Sequence, residues 1–164
     1  MVRTGWPATV LRQMEECFIC SKHRRMAELP GGILLADEQC LVSHLPLVLP
    51  QGPQESVYLG YLMVEPRRHV AELSDLSAPE ASSLGCLAAS ASTALRTATG
   101  AEHVYAAVIG HGVEHLHLHL IPRYPGTPRE YWWTRVDEWP DAPRGDAARI
   151  DELAHAIRAA ASSD

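Results

Sequence analysis

The segment His115-Leu116-His117-Leu118-His119-Leu120-Ile121 alternates polar and apolar residues until its apolar end. Successive side chains of a strand point to opposite faces, so this pattern predicts a strand with an imidazole face and a leucine face. The leucine face needs a core beneath it. The imidazole face needs a chemical reason. The chain carries nine histidines in 164 residues, and three of them fall here. A solvated sheet face accounts for one histidine; three in strict alternation point to a site. Neighbours on that face should lie about 7 Å apart. That is too wide for one metal ion to take all three, although two of them remain an alternative pair of ligands. The spacing suits a row of imidazoles along a bound polyanion.

The rest of the chain supplies partners for such a strand. After the Pro30-Gly31-Gly32 break, Ile33 to Ala36 and Cys40 to Val42 read as a hairpin around Asp37-Glu38. Leu45 to Pro53 is apolar but holds Pro46, Pro50 and Pro53, so it reads as a loop or broken edge that lines or covers something. Val57 to Val64 is expected as the next strand. Ser77, Pro79 and Glu80 form a helix start with a capping box. Leu84, Leu87, Ala88, Ala91, Leu95 and Ala98 then recur at helical spacing, and Gly100 lies just past the end. His103 to Ile109 and Val113 to Ile121 are expected as antiparallel strands around Gly110-His111-Gly112, the second stopped by Pro122. Pro140, Pro143 and Gly145 lead to a last helix, capped by Asp146, with Ile150, Leu153, Ala154 and Ile157 on one face. This order of elements predicts an α+β fold. Residues 1–164 are expected to form one domain, with an arm over 1–16 (including a short helix from Ala8 to Glu16), a core over 17–125 and an extension over 126–164.

Composition narrows the function. The net charge of −6 offers no basic field for nucleic acid. No apolar run approaches the ~18 residues of a membrane span. The first residues lack an apolar signal core, so a cytoplasmic location is expected. Four cysteines in a chain of this length are not a disulfide framework. Cys17-x-x-Cys20 reads as half of a tetrahedral zinc site or as a redox pair. Cys40 and Cys86 read as core residues.

Phosphoryl chemistry fits the histidine row. An imidazole titrating near pH 6.5 offers a neutral nitrogen at neutral pH. It can attack an α-phosphate, form a phosphohistidine and release it to water. Flanking imidazoles can donate hydrogen bonds to phosphate oxygens.

The His115-to-Ile121 run followed by Pro122-Arg123 resembles the signature of the histidine-triad (HIT) superfamily. Cys17-x-x-Cys20 is similar to the N-terminal pair of bacterial members, and Gly60-Tyr61-Leu62-Met63-Val64-Glu65-Pro66-Arg67-Arg68-His69 resembles the family's central strand and helix entry. The resemblance implies a HIT-like fold: a five-stranded antiparallel sheet with one long helix, paired as a homodimer, to which this chain adds a C-terminal helix. It implies a nucleotide hydrolase or transferase that needs no catalytic metal. His117 would be the nucleophile, His119 would contact phosphate and His115 would support the row. It also implies a structural zinc held by Cys17, Cys20, His69 and His115, with His23 as a rival for the third ligand.

Several positions depart from the family pattern. Tyr61 stands where a histidine is common. Ser43-His44-Leu45-Pro46 replaces the segment that supplies a polar nucleoside contact, leaving no acidic residue there. His111 and Gly112 replace phosphate-contacting residues ahead of the triad. His44, His111 and Gly112 therefore become candidate substrate contacts, beside His119. Arg123 and one of Trp132, Trp133 and Trp139 are weaker candidates, with solvation and packing as their simpler roles. Two rival readings are a HIT scaffold that binds a nucleotide or partner with little turnover, and a zinc-dependent hydrolase that uses the histidine row as ligands.

Overall fold

A computed structural model describes residues 17–110 and 112–162. The N-terminal arm, its expected helix and His111 lie outside the described residues.

The architecture is a five-stranded antiparallel sheet with helices against it. Helix α1 (Phe18–Arg24) comes first. Strands β1 (Ile33–Ala36) and β2 (Cys40–His44) form the expected acidic-turn hairpin, in which the Asp37 carboxylate accepts from the backbone N–H groups of Gln39 and Cys40. Two-residue strands β3 (Val48–Leu49) and β4 (Gly52–Pro53) make the proline-rich segment a small hairpin outside the main sheet. Strands β5 (Val57–Tyr58) and β6 (Leu62–Pro66) follow. Helix α2 (Ala78–Thr99) starts at the predicted Ser77–Glu80 capping box and ends at Gly100 in the left-handed region. After β7 (His103–Val108) and β8 (Leu118–Arg123), β9 (Arg144–Gly145) pairs with β5, and helix α3 (Ala147–Ala161) closes the described chain. The sheet order is β1-β2-β6-β8-β7.

Three strand expectations are corrected. Val57 to Val64 is not one strand: Gly60 turns the chain at φ +81°, where a Cβ would sit 3.1 Å from both Leu95 Cδ1 and Pro122 Cγ. Nor does β8 begin at Val113; it begins at Leu118, so His115 and His117 precede it on irregular backbone, in a long connection rather than a tight glycine turn. Pro122 does not end β8 either. The β6–β8 ladder runs only from Leu62↔Leu120 to Val64↔Leu118, so beyond Leu120 the strand has a single neighbour, β7. A proline without an N–H is tolerated on that open side.

The two faces of the sheet bury different things. Cys40, Val42, Leu62, Val64 and Leu120 join Leu84, Ala91 and Leu95 of α2 and Ile150, Leu153 and Ile157 of α3 in the main core. Leu116 joins them, so the leucine side of the motif packs as the alternation requires. Cys40 is buried, whereas Cys86 is exposed on α2, contrary to its expected core role. Ile121 instead packs with Tyr58 and Val136 in a second cluster.

His44 at the end of β2 ties two loops to this sheet. Its Nδ1–H donates to the Leu45 carbonyl at 2.8 Å, and its Nε2 accepts the Gly60 N–H at 2.8 Å. Burial pushes the ring down to a pKa of about 4, so it is neutral in the folded protein. Because the unfolded ring titrates near 6.5, the unfolded chain binds more protons between pH 6.5 and 4, and stability falls as pH drops through that window. His44→Phe should cost about 1–3 kcal/mol in urea denaturation at pH 7, since it strands the Gly60 N–H. The gap between variant and wild type should narrow toward pH 4.

Candidate active site and metal centre

The histidine motif divides between two sites. The His115 ring turns away from its neighbours. Its Nε2–H donates to the Pro66 carbonyl at 2.9 Å, which leaves the Nδ1 lone pair facing Cys17 Sγ at 3.5 Å and Cys20 Sγ at 3.4 Å. His69 Nδ1 lies 3.5 Å from Cys20 Sγ. The four ligand atoms of Cys17, Cys20, His69 and His115 all lie within 4.8 Å of one another. Zinc–sulfur and zinc–nitrogen bonds of about 2.3 and 2.0 Å at the tetrahedral angle give an S···N edge of about 3.5 Å. The observed separations fit that edge, so the cluster can hold a metal ion. Burial, and then the neighbouring Cys17 sulfur, push the Cys20 thiol up to about 12; a cation among the ligands would favour its thiolate.

Helix α1 supplies the cysteines. Cys17 is its N-cap, and its sulfur accepts the Cys20 N–H at 3.5 Å. His23 on the same helix is not in the cluster. Its Nε2 lies 2.9 Å from Glu65 Oε2. The rivalry with His69 is thus decided by geometry in favour of His69 as a member of the cluster.

His117 and His119 stay together on the other side, with ring centroids 4.7 Å apart. This is closer than the spacing along an extended strand, because His117 precedes β8. His117 Nδ1–H donates to the His115 carbonyl at 2.6 Å, so its Nε2 carries a lone pair. His119 is buried, and burial, reinforced by His117, pushes its pKa down to about 4. Its Nδ1 meets the Tyr61 hydroxyl at 3.0 Å, and its Nε2 has no hydrogen-bond partner among the described residues.

Both rings line a cavity of about 340 Å³. The proline-rich segment forms one wall through Leu45, Pro46, Leu49 and Pro50, as its apolar character predicted. Gly112 lines it as well. Sequence reasoning missed the three charged wall residues Lys22, Glu65 and Asp137. Glu65 is fully buried on the same face of β6 as Met63. Burial would raise its carboxyl pKa, but the Lys22 ammonium and His23 outweigh that and hold it near 2. Lys22 also donates to Ser43 Oγ at 3.2 Å. A charge inside the apolar run from Leu62 to Val64 and Pro66 was the available signal for Glu65. Asp137 comes from the 3₁₀ segment Trp133–Glu138, where nothing in the sequence marked it.

The remaining candidates fall elsewhere. Both ring nitrogens of His44 are engaged with backbone groups, and the residue does not line the cavity. The Arg123 guanidinium lies 3.9 Å over the Trp132 ring and reaches Tyr105 and Glu102, away from the cavity wall. Trp133 packs edge-on against Tyr105.

The HIT domain family model matches residues 33–126. The chain belongs to the HIT domain family. Proteins of this family are generally nucleotide-binding or hydrolytic. A search of curated proteins finds no match. Among solved structures, a histidine triad nucleotide-binding protein from Sulfolobus tokodaii is 22% identical with a TM-score of 0.65, over 90% of this chain and 93% of that one. A zinc-bound histidine triad family protein from Mycobacterium smegmatis is 20% identical with a TM-score of 0.63, over 92% and 96%. A HIT-like protein from Bartonella henselae, described as involved in cell-cycle regulation, is 21% identical with a TM-score of 0.61, over 89% and 97%. Among the described residues no helix is long and apolar enough to cross a membrane.

Zinc added to metal-free protein should raise the thermal unfolding midpoint of the wild type. The same addition should leave Cys20→Ser nearly unchanged, because binding to the folded state alone is what transmits the shift.

Proposed function

We propose that the protein is a phosphoesterase acting on nucleotide-like phosphoanhydrides, phosphoramidates or esters, with His117 as nucleophile. The observation that carries this reading is the His117 tautomer. The His115 carbonyl can only accept, so the proton sits on Nδ1 and the free pair of Nε2 belongs to the cavity-lining ring. Nε2 attacks phosphorus and the N–P bond forms as the bond to the leaving group breaks, the group departing with its electron pair. The ring becomes cationic in the intermediate, and the His115 carbonyl oxygen stabilises its Nδ1–H. Water then attacks phosphorus, the P–N pair returns to Nε2, and the water proton passes to solvent. A nucleotidyl acceptor in place of water would make the same chemistry a transfer.

Zinc suits the four-ligand cluster, whose sulfur and imidazole donors and S···N edges fit it. It would supply a cross-link between α1 and the sheet rather than a reacting centre, since all four ligands are protein atoms. A homodimer, as the family resemblance implies, and a cytoplasmic location complete the reading; sedimentation of the purified chain tests the dimer.

His117→Ala should lower turnover of a p-nitrophenyl ester of a nucleoside 5′-monophosphate by at least about a thousandfold while leaving the far-ultraviolet circular dichroism unchanged. Acid-labile phosphate or nucleotide trapped on His117 would support the covalent route. Undiminished turnover by His117→Ala would overturn the proposal. Loss of turnover on chelation, from protein that remains folded, would favour the zinc-dependent alternative.

A further inference from the structure

His117 and His119 are neighbours on one cavity wall, yet their second nitrogens face opposite kinds of partner. His117 Nδ1 faces a carbonyl, which accepts. His119 Nδ1 faces the Tyr61 hydroxyl, which can donate. We infer that Tyr61 is a positioning residue that locks His119 in the Nε2–H tautomer, so that a hydrogen-bond donor stands beside the His117 nucleophile. The inference rests on the phosphoesterase reading only for its catalytic consequence.

The direction of the bond follows from simple chemistry. A phenol is a good donor and a poor acceptor, whereas a neutral imidazole nitrogen is a good acceptor. The Tyr61 hydroxyl has no other hydrogen-bond partner among the described residues. Burial, then the Asp137 carboxylate, push its pKa up to about 12, so the proton stays on oxygen at neutral pH. The neutral His119 ring then carries its single proton on Nε2. That atom is buried, lacks a partner and belongs to a ring lining the cavity. An orphaned donor at such a place is satisfied when a phosphate oxygen arrives.

The backbone holds Tyr61 for this role. Its carbonyl accepts the Leu45 N–H at 2.7 Å, and its own N–H reaches the Tyr58 carbonyl at 3.3 Å. The preceding Gly60 N–H is held by His44 Nε2. His44 therefore bears on the reaction through Tyr61, not by contact with substrate. The two imidazoles end in opposite tautomers: a lone pair on His117 Nε2 for phosphorus, and an N–H on His119 Nε2 for a phosphate oxygen.

The test uses the full zinc-loaded chain with ¹⁵N-labelled histidine. Two-bond ¹H–¹⁵N correlation spectra, assigned with His119→Gln, read the tautomer directly. Wild type should show His119 as Nε2–H and His117 as Nδ1–H. Tyr61→Phe, which keeps the packed ring and removes only the hydroxyl, should turn the His119 signal into a tautomer mixture. With the p-nitrophenyl nucleotide ester as probe, the same variant should lose about tenfold or more in kcat with little change in KM, as for a misplaced oxyanion donor. His119 found as Nδ1–H in wild type, or an unchanged tautomer in Tyr61→Phe, overturns the inference. So does an unchanged kcat. If wild type does not turn over the probe, the phosphoesterase reading fails, and the tautomer spectra alone decide the role of Tyr61.

Discussion

The residue on which both sites depend is His115. Its ring belongs to one and its backbone oxygen to the other. The Pro66 carbonyl takes the Nε2 proton and so aims Nδ1 at the two cysteines. Its own carbonyl takes the Nδ1 proton of His117 and so leaves a lone pair on Nε2, the atom we propose as the nucleophile. Both bonds are made to carbonyl oxygens, which cannot donate, so neither tautomer is left to chance. Irregular backbone makes this arrangement reachable. A continuous strand would send both rings to the same face, and His115 could not leave the row for the cysteines. Leu118, where β8 starts, marks the point beyond which the period of two resumes.

Much of the fold was legible because local rules and tertiary packing agreed. Ser77, Glu80 and Gly100 bound α2 where capping chemistry places them, and Asp37 turns the first hairpin through its own side chain. The strand ends were less legible. Gly60 breaks an apolar run because α2 and β8 crowd it from both sides, which no local pattern reveals. Pro122 survives inside β8 because β6 ends early, which is a property of the neighbour and not of the proline.

The candidate site divides the same way. The cysteine pair and the histidine motif could be found from spacing, and their separation into two sites could not. His44 looked like a substrate contact because a polar residue stood at an expected place. In the fold both of its nitrogens are consumed by backbone groups. Lys22 and Glu65 come from segments 43 positions apart and make sense only as a pair. A buried ion pair of this kind generally adds little stability over a well-packed apolar pair of similar volume.

The position of Asp137 has a consequence for how such a protein can change. The His117 and His119 rings lie within residues 33–126, the stretch that matches the family, whereas Lys22 and Asp137 reach the cavity from outside it on either flank. Two of the three charged wall residues, Lys22 and Asp137, thus come from outside the stretch that holds the two rings, whereas Glu65 and the proline-rich wall lie within it. Change in a flank can alter the charge on the cavity wall while the two rings and the His115 carbonyl stay where they are. The fold works as a fixed tool with interchangeable jaws.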